Sequence, residues 1–337
     1  MQTKCVLIFV LSLLCVLRDL RGEISVKGIA LAEEGRGASY GSEVCQKQLA
    51  AIKDIGGNWI AISPFAWMRG VNDPHVTFGR GRDWDEQNMS DCIADAHAMQ
   101  IKVLLKPHIW CNQFWNGNKW HGDIAMTSEA DWDTWFNEYG QYILASAKMS
   151  EASKCDALCI GVEYQGTSST QEKRWRKLIA DVRKVYHGKL TYAASWGEYP
   201  NVKWWDAVDC IGVDAYFPLA LQAHPSDADI RAGWAKIYAD LDATSKRWNK
   251  PICFTEIGYS ESTHAAAEPW KYGVDDRDPE LRARLFQIAC DEAARHECIC
   301  GMFVWKWFTG GQMRSRDPFA IQNSPQIMDL LKTAWKP

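Results

Sequence analysis

The sequence has no excess of positive charge, no internal linker and, past its first residues, no long apolar run. Its formal net charge is −4 over 337 residues, and loss of residues 1–22 would remove Lys4, Arg18 and Arg21 against Asp19 alone, leaving −6. This is not the basic footprint of a nucleic-acid binder. It suits an uncharged polymer and disfavours a polyanion. No Pro/Gly/Ser-rich or low-complexity tract divides the chain, so a single domain over 23–337 is expected. A glycine-rich phosphate loop is missing as well: Gly35-Arg-Gly37-Ala-Ser-Tyr-Gly41 lacks the G-x-G-x-x-G spacing, which argues against a doubly wound nucleotide-binding sheet. Cysteines are plentiful, but Cys155-x3-Cys159 and Cys298-x-Cys300 make no convergent zinc set. No metal or organic cofactor is expected.

The N-terminus reads as a secretory signal over residues 1–22. Lys4 precedes a 13-residue apolar run from Cys5 to Leu17. That length fits the roughly 7–15 residues of a signal core and falls short of the roughly 20 that span a bilayer. Gly22 supplies a small residue for cleavage, although Leu20 does not complete an A-x-A pattern. The implied location is extracellular or periplasmic. A lipid anchor at Cys15 is the lesser alternative, and no stable membrane partner or nucleic acid is expected. The default assembly is a monomer.

Strand and helix patterns alternate along the rest of the chain. Short runs rich in Ile, Val, Leu and Cys predict strands at 25–30, 58–63, 102–106, 157–162, 190–194, 210–214, 252–255 and 301–305. Helical spacing fills the gaps: Cys45, Leu49 and Ile52 before Gly56; Trp132, Trp135, Tyr139 and Ile143 after Ser128; Leu281, Leu285 and Ile288 after Asp278-Pro279. Eight such units close into a single α/β (β/α)8 TIM barrel with long βα loops. Side-chain alternation turns Cys159, Gly161, Cys210 and Asp214 inward and Cys253 and Cys300 toward the helical layer. The strand cysteines read as buried thiols, and Cys45 with Cys92, on neighbouring helices, is the candidate bridge.

Barrel enzymes do their chemistry where strands end, and the strand ends here are rich in carboxylates and aromatics. The fourth strand ends in Glu163 and the seventh in Glu256. Paired glutamates in a chain with 18 tryptophans suggest the two carboxyls of a glycoside hydrolase. Trp67, Trp110, Trp196 and Trp305 stand at other strand ends, with His108 and Tyr216, and supply ring faces and polar groups suited to sugars. Trp132 and Trp135 belong to a helix core, and Trp204 and Trp205 to the packing of a short helix. Asp83, Asp85 and Asp91 read as a solvated loop and helix start. Glu198 is expected on the rim, as a reserve carboxylate.

Several segments resemble the retaining glycoside hydrolases of clan A, and within them family 113, known for endo-β-1,4-mannanases. They are Gly57-Asn-Trp-Ile-Ala-Ile-Ser-Pro64, the run from Ala96 to Trp110, Ile160-Gly-Val-Glu163, the run from Asp209 to Pro218, and Phe254-Thr-Glu-Ile-Gly-Tyr259. The resemblance implies Glu163 as acid/base and Glu256 as nucleophile, with Tyr216 holding the nucleophile and Trp305 under the sugar being cleaved. One position departs: the clan usually carries Asn before the acid/base, to contact the sugar 2-hydroxyl, and this chain has Val162.

In a retaining site the carboxyls lie about 5–5.5 Å apart. At that separation, with an effective dielectric near 20, two negative charges repel by roughly 3 kcal/mol, or about 2 pKa units. One carboxyl then keeps its proton near neutral pH while the other attacks. The expected activity is cleavage of a β-linked polysaccharide or oligosaccharide, mannan or glucomannan first. The alternatives are another β-1,4-glycan hydrolase, a transglycosylase, or a catalytically silent carbohydrate-binding barrel.

Overall fold

The computed structural model describes residues 24–35, 37–79, 83–115, 118–272, 276–311 and 317–336, with Trp115 described in its backbone only. The signal expected at 1–22 lies outside the described residues. Among the described residues ten strands occur: β1 Val26–Ala32, β2 Trp59–Ile62, β3 Phe65–Met68, β4 Lys102–Leu105, β5 His108–Cys111, β6 Ala157–Val162, β7 Lys189–Ser195, β8 Cys210–Asp214, β9 Ile252–Ile257 and β10 Ile299–Phe308. Eight of them close a parallel barrel in the order β1-β10-β9-β8-β7-β6-β4-β2, which is the expected TIM-barrel architecture.

The other two strands continue β2 and β4 beyond the barrel rim. Pro64 and Pro107 stand at the breaks and have no N–H to give to the ladder. Past them the chains pair again in parallel, Phe65 with His108 and Trp67 with Trp110. This raises a two-stranded wall over one side of the barrel mouth.

Helices wrap the barrel where the apolar spacing placed them. They include α1 Glu43–Asp54, α2 Glu86–Ala98, α3 Asn112–Trp115, α4 Glu129–Ala152, α5 Gln165–Ser168, α6 Glu172–Val182, α7 Asp227–Trp248, α8 Pro279–Arg295 and α9 Pro325–Trp335. Ser42, Asp85, Ser128, Ser226, Asp278 and Ser324 each accept a first-turn N–H. Such a cap is worth about 1 kcal/mol. Burying one Leu or Ile of the stripe beneath it adds about 1.5–3 kcal/mol. Trp132, Trp135, Trp204 and Trp205 are buried, as core residues should be.

The barrel interior holds Val26, Ala61, Leu104, Cys159, Val162, Ala193, Cys253, Cys300 and Phe303. Cys253 and Cys300 therefore face inward, not toward the helices as strict alternation implies. The register between β8 and β9 shifts after Val213, leaving Thr255 as an extra residue on β9, and a second shift between Ile299 and Gly301 sets Cys300 apart on β10. Each bulge reverses the side-chain parity beyond it. Cys45 and Cys92 lie side by side as thiols, their sulfurs 3.9 Å apart against about 2.05 Å for a disulfide.

Candidate active site

The C-terminal ends of β4, β6, β8 and β9 bring four charged side chains together at the barrel mouth. Glu256 occupies the bulged end of β9. Its Oε1 lies 2.6 Å from Lys106 Nζ, and its Oε2 accepts a 2.8 Å hydrogen bond from the Tyr216 hydroxyl. Lys106 follows β4 and is only 1% exposed. Its ammonium also reaches both Asp214 oxygens, at 3.2 and 3.3 Å. Thr255, two residues along β9 from inward-facing Cys253, donates to Asp214 Oδ1 at 2.8 Å. One buried ammonium thus serves two carboxylates.

The protonation directions follow from that arrangement. Burial pulls the Lys106 ammonium down, but Asp214 and Glu256 more than offset it, so the net direction is up and the cation persists. Burial pushes Asp214 up to about 7; Lys106 opposes the shift and Glu256 adds to it. Tyr216 is raised by burial and then by the Glu256 and Asp214 charges, so its phenol stays a donor.

Glu163 follows β6 in a left-handed conformation, φ 56°, which non-glycine residues seldom adopt. Its N–H donates to Ala193 O at 2.7 Å. Its side chain is 19% exposed, and burial raises its pKa well above the usual carboxyl range, with Asp214 and Glu256 raising it further. His121, in the 3-10 turn His121–Asp123, comes within 3.9 Å of Glu163 Oε2 through Nδ1, while its Nε2 meets Ile109 O at 3.0 Å. A carbonyl only accepts, so the proton sits on Nε2 and the Nδ1 lone pair faces Glu163. Burial pulls this imidazole down to about 4, keeping it neutral.

The other expected residues surround this centre. His108 on β5 is 5% exposed, its pKa lowered by burial and then by Lys106, and its Nε2 has no partner among the described residues. Trp110 on the same strand stands edge-on to Phe114 and His121, at 5.7 and 6.5 Å. Trp67 lies opposite on β3 and donates through Nε1 to Asp83 Oδ2. Trp305 sits on β10, joined to Lys306 by a cis peptide, with the Lys306 ammonium 5.1 Å from its ring. Trp196 is farther out: it is 38% exposed and stacks on Trp270 at 5.9 Å and 19°.

Glu198 is not on the rim. It is fully buried, because a turn closed by Glu198 N to Ser195 O folds it back beneath the strand ends. It accepts from the Ser168 and Tyr192 hydroxyls and from Ser195 N–H. Sequence reasoning also left Lys106, Asp214 and His121 out of the site. A lysine at a strand end beside so many carboxylates was the available signal for Lys106. Among the described residues, no group of three or more His, Cys, Asp or Glu is arranged to hold a metal ion, and no helix is long and apolar enough to cross a membrane.

The sequence matches the family model for Glycoside Hydrolase Family 113 over residues 30–320. No curated protein matches it. Among solved structures, a complex of a GH113 β-1,4-mannanase superposes with TM-score 0.81 at 23% identity, covering 93% of this chain and 99% of that one. A GH113 β-mannanase from Alicyclobacillus acidocaldarius, solved with ManMIm, gives 0.80 at 24% identity over 92% and 96%. A β-glucuronidase from Ruminococcus gnavus gives 0.59 at 12% identity, over 92% of this chain and 50% of that one. At these identities the likeness is one of fold.

Proposed function

The chain belongs to glycoside hydrolase family 113, and from that premise we propose that it is an exported endo-β-1,4-mannanase working by double displacement, with Glu256 as nucleophile and Glu163 as acid/base. The observation that carries this reading is the contrast between two neighbouring carboxyls. Glu256 meets the Lys106 ammonium through one oxygen and the Tyr216 hydroxyl through the other, whereas Glu163 is pushed toward its protonated form by burial and by the charges of Asp214 and Glu256. Environments that set two carboxyls apart assign acid and nucleophile.

In the first step a Glu256 oxygen attacks the anomeric carbon. The bond from that carbon to the leaving oxygen breaks, and the Glu163 proton goes to the departing sugar. Acylal formation neutralises Glu256, which removes one of the charges that favour the proton on Glu163. Glu163, now a carboxylate, takes a proton from water as the water oxygen attacks the same carbon and releases Glu256. Two inversions leave the β configuration. The ring faces of Trp305 and Trp110 would flank the cleaved sugar, with His108 Nε2 free to meet a hydroxyl. Trp196 would carry a more distant sugar, and Trp67 would line the wall above. That the two similar family members are mannanases supports mannan as the polymer, and the signal-like segment 1–22 supports export.

Anomer-resolved product analysis on glucomannan, galactomannan, carboxymethylcellulose and xylan tests this reading. Manno-oligosaccharides of β configuration are expected. Products from a glucan alone would discard the mannan assignment, first products of α configuration would discard double displacement, and mannan bound without cleavage would point to a silent binding barrel.

Glu163→Ala separates the two glutamates. On unactivated mannan it should lose about 10²–10⁴-fold, the usual worth of general acid–base catalysis. On a dinitrophenyl glycoside, whose leaving group needs no proton, the glycosyl-enzyme should still form, and azide should speed its release as a β-glycosyl azide. Lack of azide rescue would move the acid/base role to another residue.

A further inference from the structure

We infer that Glu198 is a positioning residue for Glu163, acting through the Tyr192 hydroxyl on the backbone N–H of Tyr164. The inference rests on the reading of Glu163 as acid/base.

The left-handed backbone at Glu163 is the reason such a device is needed. For a residue with a Cβ this conformation costs roughly 1–2 kcal/mol relative to the right-handed region, so the chain would relax unless held on both sides. Relaxation would swing the carboxyl away from the cleft. The N–H of Glu163 is held by Ala193 O at 2.7 Å. The next N–H, that of Tyr164, donates to the Tyr192 hydroxyl at 2.8 Å. That hydroxyl spends its one proton on Glu198 Oε1, at 2.5 Å.

Direction is fixed along this relay. A backbone N–H only donates, so Tyr192 oxygen accepts from Tyr164 and its proton points to Glu198. Glu198 takes a second hydroxyl, from Ser168, and a backbone N–H from Ser195 at 2.9 Å. Three donors converge on a group with no exposure, which matches a carboxylate acting as acceptor only. No lysine, arginine or histidine among the described residues bonds to it, so its charge rests on these dipoles. Hydrogen bonds in such a chain polarise one another, and a charged terminus strengthens the whole.

The surroundings keep the relay in place. Tyr192 is packed against Trp175, Trp204 and Trp205, with ring centroids at 5.3, 5.1 and 6.1 Å. Trp204 Nε1 donates to Ser168 O at 3.0 Å, which anchors the residue that supplies the second hydroxyl. Gly161 makes the space: the β6 irregularity between Cys159 and Val162 turns it toward the helical layer, not inward as alternation implies, and a Cβ there would stand 2.8 Å from both the Tyr192 and Trp175 rings. The arrangement is thus built from β6, β7, α5, α6 and the turn after β7.

Glu198 also bears on the proton of Glu163. Burial raises Glu198 more than its donors lower it, so the net direction is up, to about 7. Its negative charge is one of those raising Glu163, beside Asp214 and Glu256, with Lys106 opposing and neutral His121 facing the same carboxyl. Removing the Glu198 charge should lower the pKa of Glu163. The alkaline limb of kcat/KM, where the acid loses its proton, should then move to lower pH.

Glu198→Gln and Tyr192→Phe in the full chain test this, with an unactivated manno-oligosaccharide and an activated dinitrophenyl glycoside as paired substrates. Both variants are expected to lose about tenfold or more in kcat/KM on the oligosaccharide, which needs a well-placed acid, and at most about threefold on the activated glycoside, which does not. Glu198→Gln should also shift the alkaline limb downward. Equal losses on both substrates with an unmoved limb would mean a role in folding alone and would overturn the inference, as would full activity on both. Should Glu198→Gln fail to fold, Tyr192→Phe decides by the same substrate ratio. A folded wild-type protein that cleaves neither substrate would instead remove the hydrolase reading on which the inference stands.

Discussion

Glu256→Ala is expected to abolish turnover on every glycoside, activated or not, by at least about 10⁴-fold, the order seen when a covalent nucleophile is removed. The breadth of the loss distinguishes it from Glu163→Ala. A good leaving group replaces a missing acid, but it cannot replace the atom that attacks carbon. The fold should survive, because Lys106 keeps Asp214 as a partner at 3.2 Å. The Tyr216 hydroxyl loses an acceptor, a loss of about 1 kcal/mol. Thermal unfolding within a few degrees of wild type, together with absent product, would support the assignment. Retained turnover in a folded variant would transfer the nucleophile role elsewhere.

The second large effect is expected at Lys106, through stability and activity together. Lys106→Met leaves Asp214 and Glu256 buried without their ammonium. Breaking a buried ion pair from one side costs about 3–5 kcal/mol, unless the stranded carboxyls take up protons. Asp214, already pushed up to about 7 with the lysine present, can do so in mild acid. The sign follows by linkage. A folded-state carboxyl raised above its unfolded value near 3.9 makes the native state bind more protons than the unfolded one, so stability falls as pH rises between the two values. The variant should therefore lose more stability at pH 8 than at pH 5. Activity should fall about 10²-fold or more at neutral pH, with the acid limb of kcat/KM moved upward, because the ionised nucleophile has lost its cation. Unfolding midpoints across pH, measured beside the rate profile, check both arms. An unmoved acid limb would show that Lys106 serves the fold and not the nucleophile.

Much of this was legible in the sequence because it depends on local rules. Each of the eight apolar runs became a barrel strand within a few residues of its expected bounds. Ser128 and Asp278 cap the helices they were expected to open. The strand-end rule brought Glu163, Glu256 and Tyr216 to one mouth. What escaped depended on irregularity or on distance. The parity of Cys253 and Cys300 failed because alternation holds only until a bulge inserts a residue. Lys106 was missed because a lysine is ordinarily solvated, and its partners lie 108 and 150 residues away, joined to it only by barrel closure. Glu198 was misplaced because two residues beyond the strand-end Trp196 usually means a rim, whereas here a turn carries the chain back inside. The β3–β5 wall was hidden by prolines that mark a break without saying that pairing resumes.

The left-handed backbone at Glu163 has a consequence for descent. At φ 56° the residue a backbone accepts most easily is glycine, and the nearby charges of Asp214 and Glu256 disfavour a third carboxylate. With Glu163 as the proposed acid/base, folding does not favour glutamate at this position and turnover does. A single base change converts a glutamate codon to a glycine codon. A duplicated copy freed from cleaving glycans would meet no structural resistance to that change and would keep the aromatic cleft. Sugar-binding barrels without activity are thus near neighbours of this enzyme in sequence space, and position 163 is where the two histories would part.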